Sequence, residues 1–319
     1  MVLTVTINPL LERKYFLPFF VNGSEYRSLS PIFNVGGKGI NVSRQLKMLD
    51  VDSLIFTILG GENGKKIRHL LTKEEINFTA AKTVSETREA TLLIETEKNS
   101  VTTLFSDNNI ITETETNEVI NKLDKMIQNC EIVVLSGSSP SVEADRIFPE
   151  LIRIANNYDK ISVIDTYGRH LEKCINESPT ILHNNLSEIN YSLNRNLHSE
   201  NDIQEFLDFL YSKGIKQSFI TNGASTVYCS KADFHYKITP SKINVKDATG
   251  SGDAFVAGIV YGHYNDLIFD DSLKTAVALG VINAQTFDVC KVNLNNVKDL
   301  ISSLQVYEIG KKMKTIDVS

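Results

Sequence analysis

Ile243-Asn244-Val245-Lys246-Asp247-Ala248-Thr249-Gly250-Ser251-Gly252-Asp253-Ala254-Phe255 reads as a strand-like stretch, a glycine turn and the start of a helix, with Phe255, Ile259 and Gly262 following at helical spacing. Two glycines remove Cβ atoms, so backbone N–H groups can approach an anion, and a helix N-terminus adds roughly half a positive charge there. The segment is a candidate phosphate cradle. Asp253, a carboxylate at the same N-terminus, would repel a phosphate. It is better placed to accept a proton from a hydroxyl attacking phosphorus. A glycine-rich turn with Asp253 as a first-turn capping carboxylate is the structural alternative that spacing alone leaves open.

Working outward, strand-like and helix-like text alternates along the chain. Val2 to Ile7 is a β-branched run stopped by Asn8-Pro9. Ile132-Val133-Val134-Leu135, Ser162-Val163-Ile164 and Ser218 to Thr221 read as further buried strands. Between them, Ile120, Leu123 and Ile127 mark one helix face. Ile203, Phe206, Leu207 and Leu210 mark another, with Ser199 three residues ahead of Asp202 as its cap. Short buried strands separated by amphipathic helices predict an α/β class with a mostly parallel sheet covered on both faces. Ligands of such sheets sit beyond the carboxyl ends of the strands. Residues of about 10–35, broken by Pro18, Asn22-Gly23 and Pro31, and the β-rich pieces of 85–106 predict a small second sheet inserted in that core. With no linker or repeat, residues 1–319 read as one domain.

A second glycine corner, Gly36-Gly37-Lys38-Gly39-Ile40-Asn41-Val42, enters a helix whose apolar face continues as Leu46 and Leu49. Lys38 suits a phosphate as a point charge, and the amide of Asn41 suits a sugar hydroxyl because it both donates and accepts. A tight turn with an exposed lysine is the structural alternative. Two nucleotide fingerprints fail: a P-loop would need Gly at Ile32 and Ser or Thr at Gly39, and a dinucleotide fingerprint from Gly250 would need a small residue at Phe255.

Composition excludes other classes. Lys and Arg total 33 against 39 Asp and Glu, a net charge of −6 without a basic run, so nucleic acid is not an expected partner. No basic leader and no stretch of 18 apolar residues is visible, so no membrane partner is expected. Cys130, Cys174, Cys229 and Cys290 form no C-x-x-C pair, which predicts four buried thiols and a cytoplasmic location. The six histidines show no paired ligand spacing for a transition metal.

The two glycine corners together resemble the two signatures of the PfkB, or ribokinase-like, carbohydrate kinases. Thr6-Ile7-Asn8-Pro9, Glu86-Thr87-Arg88, Leu135-Ser136-Gly137-Ser138, Asp165-Thr166, Asn185-x-x-Glu188 and Thr221-Asn222-Gly223-Ala224 extend the resemblance over nearly the whole chain. The Asn8-Pro9 start and the Gly36 to Val42 form look most like the branch containing 1-phosphofructokinase and tagatose-6-phosphate kinase. The resemblance implies a ribokinase-like three-layer α/β/α sandwich with a small β-sheet lid, and ATP-dependent phosphorylation of a ketohexose phosphate. It implies Asp253 as general base, with Gly250, Ser251 and Gly252 donating to the transferred phosphoryl group. Asn185, Thr221, Gly223 and Asn283 would line ATP, Asn283 beside the adenine, and Glu188 would hold Mg²⁺ through its water shell. Glu12, Gly37 and Asn41 would meet the sugar, and Lys38, Arg88, Ser138 and Arg27 its phosphate. Asn185 and Glu188, one turn apart, could instead simply cap a helix. A homodimer through the lid is the expected assembly, with Tyr15, Phe16, Phe19 and Phe20 on its face.

Departures from the branch fall on the acceptor side. Glu12 stands where Asp is usual, Ala90 where Asn is usual, and Phe105-Ser106-Asp107-Asn108-Asn109 replaces a polar-Gly-Pro turn. His183-Asn184 replaces a Lys-Pro pair before Asn185, and Ser139 a leucine. Kinase chemistry is therefore read more firmly than the sugar. A kinase of an unphosphorylated sugar or nucleoside, and a catalytically silent sugar-phosphate sensor, are the competing readings.

Overall fold

The buried runs of the sequence pair with one another in the structure, a computed structural model that describes residues 1–27 and 29–311. The amino-terminal half supplies β1 (Val2–Thr6), β2 (Leu10–Leu17), β3 (Ile32–Gly36), α1 (Lys38–Lys47), β4 (Ser53–Leu59), α2 (Gly61–Lys73) and β5 (Phe78–Lys82). Next come β6 (Glu89–Glu95), β7 (Ser100–Phe105), α3 (Glu113–Ile127), β8 (Ile132–Ser136), α4 (Ile147–Asn157) and β9 (Ile161–Asp165). The chain continues through α5 (Leu171–Asn176), β10 (Ile181–Asn185), α6 (Leu186–Ser192), α7 (Glu200–Ser212), β11 (Gln217–Thr221), β12 (Val227–Lys231) and β13 (Phe234–Ile238). It closes with α8 (Ser251–Tyr264), α9 (Phe269–Asn283), α10 (Lys298–Ser303) and β14 (Val306–Lys311).

Among the described residues, ten strands form one sheet in the order β14-β13-β12-β11-β10-β9-β8-β1-β4-β5. The stretch from β11 to β5 is parallel throughout, and β12, β13 and β14 add an antiparallel edge. Side chains alternate across it: Val133 and Leu135 pack toward α3, α4, α5 and α7, while Ile132 and Val134 pack toward α1, α8 and α9. Both faces are thus buried, which is why the central strands read as continuous apolar runs. The α/β expectation agrees with this three-layer arrangement. The antiparallel edge was not anticipated, because Tyr228, Ser230, His235 and Lys237 dilute its apolar pattern.

Local chemistry fixes the helix starts. Ser199 and Asp202 form the capping box of α7, and Thr112 and Glu115 that of α3. One sequence expectation is corrected: Ile243-Asn244-Val245 forms no strand, and follows Pro240 as an irregular connection into α8. Its β-branched text has a different use, because Ile243 and Val245 line a cavity without joining a ladder. The four cysteines are all buried and free.

A second sheet, ordered β3-β2-β6-β7, stands beside the first. One face packs on α2 through Leu11 and Val35, and the other carries Leu10, Ala90, Leu92 and Ile94. Among the described residues, no helix is long and apolar enough to cross a membrane.

Candidate active site

A single polar layer ends the parallel strands. Thr6, Ser136, Asp165, Asn185 and Thr221 are the last residues of β1, β8, β9, β10 and β11. Above them lies a cavity of about 840 Å³, floored by Asn185, Thr221 and the N-termini of α1 and α8, and walled by Leu10, Glu12, Ala90 and Leu92 of the small sheet.

The two glycine corners meet at its floor. Gly250 caps α8 with φ +78, and a Cβ there would lie 2.3 Å from Val289, so both conformation and space require glycine. Gly37 caps α1 with φ +134, and its Cβ would press on Thr6 at 2.8 Å. The helices are thereby drawn close enough for Asn41 of α1 to donate to Asp253 Oδ2 of α8 at 2.7 Å. Arg44 donates to Asn41 Oδ1 at 2.6 Å and is ion-paired to Glu74, which fixes which end of the amide faces Asp253.

Asp253 is 5% exposed. Burial pushes its carboxyl up to about 7, against the pull of Lys38 and with the neighbouring Asp165 charge adding to the rise. Asp165 behaves oppositely. Although burial opposes its charge, Lys38 and a hydrogen bond from His183 hold it below the usual carboxylate range. Two buried aspartates thus have different jobs: one stays ionised, and the other is tuned toward neutral pH, where a base exchanges protons most effectively.

Lys38 does not point toward Arg88. Its ammonium lies 3.0 Å from Asp165 Oδ1 and 2.8 Å from Glu188 Oε1, over the ring of Tyr167. The carboxylates outweigh the burial penalty and keep it protonated. Asn185 and Glu188 form the capping box of α6, so the capping geometry is real, and Glu188 uses its second oxygen for Lys38. His183 joins Asp165 Oδ1 (3.0 Å) to Thr221 Oγ1 (3.3 Å) and stacks on Phe255.

At the other end of the cavity, Arg88 donates to Asn8 O (3.0 Å) and Asn108 Oδ1 (3.1 Å). Asn8 Nδ2 donates to Ser138 Oγ (3.0 Å) and to Asn108 Oδ1 (3.1 Å). Among the described residues, Arg88 Nε and Asn8 Oδ1 are buried without a hydrogen-bond partner, a condition native proteins rarely keep unless something else completes it. A donor of that kind fits an anion.

Thr221 and Gly223 border the cavity together with Val277, Gly280, Val281 and Ala284, which give that end an apolar wall. Asn283 is not part of it. It is 1% exposed, donates to Thr249 O and Ser251 Oγ, and accepts from Cys290 N, so it braces the Gly250 turn rather than facing the cavity. Arg27 also stands apart, with an 84% exposed side chain paired to Glu25. Its sequence surroundings promise a cation but fix no position. Gly37, Lys38, Asn41, Glu12, Arg88, Ser138, Asn185, Glu188, Thr221, Gly223 and Gly250 to Asp253 all converge on the one cavity. Sequence reasoning gave no site role to Asn8, Asp165, His183 or Asn108, although Asn8 and Asp165 are polar residues closing apolar runs, the position where strand ends carry function.

A glycine-cradled helix N-terminus with a buried carboxylate raised toward neutral pH, at the carboxyl end of a parallel sheet, fits phosphoryl transfer to a hydroxyl. The chain belongs to the pfkB family of carbohydrate kinases, whose profile matches residues 20–294. It is a sugar kinase by that membership. A Staphylococcus aureus protein assigned provisionally as a phosphofructokinase is 26% identical, with a TM-score of 0.80 over 98% of this chain and 100% of the other. A Thermotoga maritima protein assigned provisionally as a 1-phosphofructokinase is 25% identical, with a TM-score of 0.89 over 97% and 99%. Phosphofructokinase-2 from Escherichia coli in complex with fructose-6-phosphate shares the fold at 20% identity, with a TM-score of 0.83 over 94% and 98%.

Proposed function

We propose that the protein transfers the γ-phosphoryl group of ATP to a hydroxyl of a ketohexose phosphate, tagatose-6-phosphate or fructose-1-phosphate. The observation that carries this is one cavity with Asp253 at its floor and an incompletely satisfied arginine, Arg88, at its acceptor end. The names given to the Staphylococcus and Thermotoga neighbours point the same way.

In this reading Asp253 takes the proton of the acceptor hydroxyl, and Asn41 holds the carboxylate in line. Backbone N–H groups of the Gly250 turn donate to the charge on the transferred group, with no carbonyl of their own helix to reach. Mg²⁺ would be held near Asn185 and Glu188 and, when bound, neutralises phosphate charge. The oxygen donors of Asn185 and Glu188 suit it, since Mg²⁺ takes one or two carboxylates and binds otherwise through water and phosphate oxygens. Arg88, Asn8, Ser138 and Asn108 hold the phosphate already on the sugar, and the small sheet excludes water from the reacting groups. Exposed Phe19, Phe20, Ile32 and Leu104 on that sheet and its loop support pairing of two copies, which light scattering would measure as twice the chain mass.

A second reading, phosphorylation of an unphosphorylated sugar, draws support from Lys38. Its charge is already compensated by Asp165 and Glu188, leaving Arg88 as the cation that calls for a phosphate. An ADP-release assay with Mg-ATP against fructose-1-phosphate, tagatose-6-phosphate, fructose-6-phosphate and the free sugars separates the two. Turnover confined to a phosphoketose is expected. Turnover only with free sugars would overturn the phosphate reading, and silence throughout would favour a sugar-phosphate sensor.

A further inference from the structure

We infer that Lys14 is a positioning residue that sets acceptor specificity by fixing the carboxylate of Glu12, an inference that rests on the sugar-kinase reading above. Glu12 and Lys14 are two apart on β2, so both side chains leave the same face of the small sheet, the face that Leu10, Ala90 and Leu92 turn to the cavity. Lys14 is 2% exposed, and its Nζ lies 3.3 Å from Glu12 Oε2. Among the described residues, Glu12 is its ion-pair partner. A buried ammonium is tolerated only when compensated, so the two residues hold each other in place.

The other oxygen of Glu12 lies close against the neighbouring strand. A Cβ on Gly36, the cross-strand partner of Leu10, would lie 2.5 Å from Glu12 Oε1, so the carboxylate rests against the first glycine of the acceptor corner. A free glutamate has three rotatable bonds and would have to be ordered on each binding event. One paired to Lys14 at one oxygen and confined by Gly36 at the other is ordered beforehand, which leaves binding free energy for discrimination. A carboxylate only accepts hydrogen bonds, so Glu12 reads hydroxyl groups of the sugar. Lys14 also cancels its charge. Without that cancellation the wall facing the acceptor would repel any sugar that carries a phosphate.

Steady-state kinetics of Lys14→Met and of the double variant Glu12→Gln/Lys14→Met, with Mg-ATP and either tagatose-6-phosphate or fructose-6-phosphate, tests this. The two acceptors carry the same phosphate and differ only at C4. Lys14→Met is expected to raise the acceptor KM by about 10-fold or more, the range for losing a hydrogen bond to a charged group. The KM for ATP should stay within about twofold, and the preference between the epimers should fall toward one. The double variant has no unpaired buried charge, so it should melt near wild type and keep the relaxed preference. Equal use of both epimers by the wild type, or variants that lose thermal stability while preference and the KM split stay as in wild type, overturns the inference. If the wild type accepts only free sugars, the phosphate reading falls and the same comparison is made with fructose and tagatose. If it accepts only a 1-phosphate, the same comparison is made with fructose-1-phosphate and tagatose-1-phosphate, which also differ only at C4, and absence of turnover with every sugar overturns both.

Discussion

The transfer corner and the acceptor wall of the same cavity are built differently. Asp253, Asn41, Lys38 and Asp165 sit at helix starts and strand ends rooted in two large apolar clusters, where every position is bracketed by close packing. Glu12 lies in, and Arg88 immediately precedes, a strand of a four-stranded sheet whose residues Ile32, Leu104 and Phe105 are exposed, and which is tied to α2 by a small cluster. The corner proposed to carry the transfer chemistry is closely packed. The wall proposed to distinguish acceptors is borne by a thinner element, in which single residues can change without disturbing the core.

The comparison breaks most severely if Asp253 proves dispensable. Asp253→Asn keeps the shape and the contact with Asn41 but cannot accept the proton, so kcat should fall by about 10³-fold or more. The same substitution should stabilise the fold. The carboxyl titrates near 7 when folded and near 4 when unfolded, so its favourable contribution is complete below about pH 4 and is lost as pH rises through 7. At pH 8 the wild type therefore buries an ionised carboxylate, and the asparagine variant should melt a few degrees higher. Unchanged turnover would remove Asp253 from the mechanism, and a lower melting temperature would contradict its unfavourable burial.

On the acceptor wall, Arg88→Met should raise the KM for a phosphorylated acceptor by about 10- to 100-fold, the range for a lost charge-assisted hydrogen bond. The KM for ATP should hardly move. Equal increases in both would mean that Arg88 shapes the whole cavity rather than one end of it.

How much of each region could be read from the sequence follows the same division. The glycine corners were legible because positive φ at Gly37 and Gly250 and the close approach to Thr6 and Val289 admit no other residue, so the requirement is written in single letters. The alternation of buried strands and helices was legible for the same local reason. Asn283 was not, because its role depends on a loop that returns Cys290 to the Gly250 turn, a contact spanning 7 residues on one side and 32 to 34 on the other. Lys38 was misaimed, since nothing local reveals that Asp165 and Glu188, 127 and 150 residues away, stand over it. Glu12 was legible through the family resemblance, but Lys14, two letters on, reads as surface until a sheet face is known to be covered.

A gentler test of the transfer corner is its pH response. Asp253 must be ionised to accept a proton, so kcat/KM should fall about tenfold per unit as pH drops below 7. Asp165, held below the usual range, and Lys38, held protonated, keep their charges over the same interval. His183→Gln should leave this limb in place. If the limb vanishes in that variant, Asp253 is not the group that sets it and the division of labour between the two aspartates is wrong.

The smallest expected effect lies where the two regions touch. Phe16, at the far end of β2, meets Phe287 edge-on with centroids 6.1 Å apart. Phe287 belongs to the connection between Asn283 and Cys290, the same connection that lays Val289 against Gly250. Through this pair the acceptor wall leans on the loop that braces the phosphate cradle. An aromatic pair contributes about 0.5–1.5 kcal/mol beyond its area, and Phe16 is 39% exposed, so the low end applies. Phe16→Ala should therefore shift melting by only a degree or two and raise the acceptor KM by about two- to threefold. Its informative readout is ATP hydrolysis without acceptor. If the contact helps the small sheet keep water from the cradle, the ratio of hydrolysis to transfer should rise about twofold. A ratio that stays at the wild-type value would mean that the wall and the corner work independently, and that the corner is held entirely by its own packing.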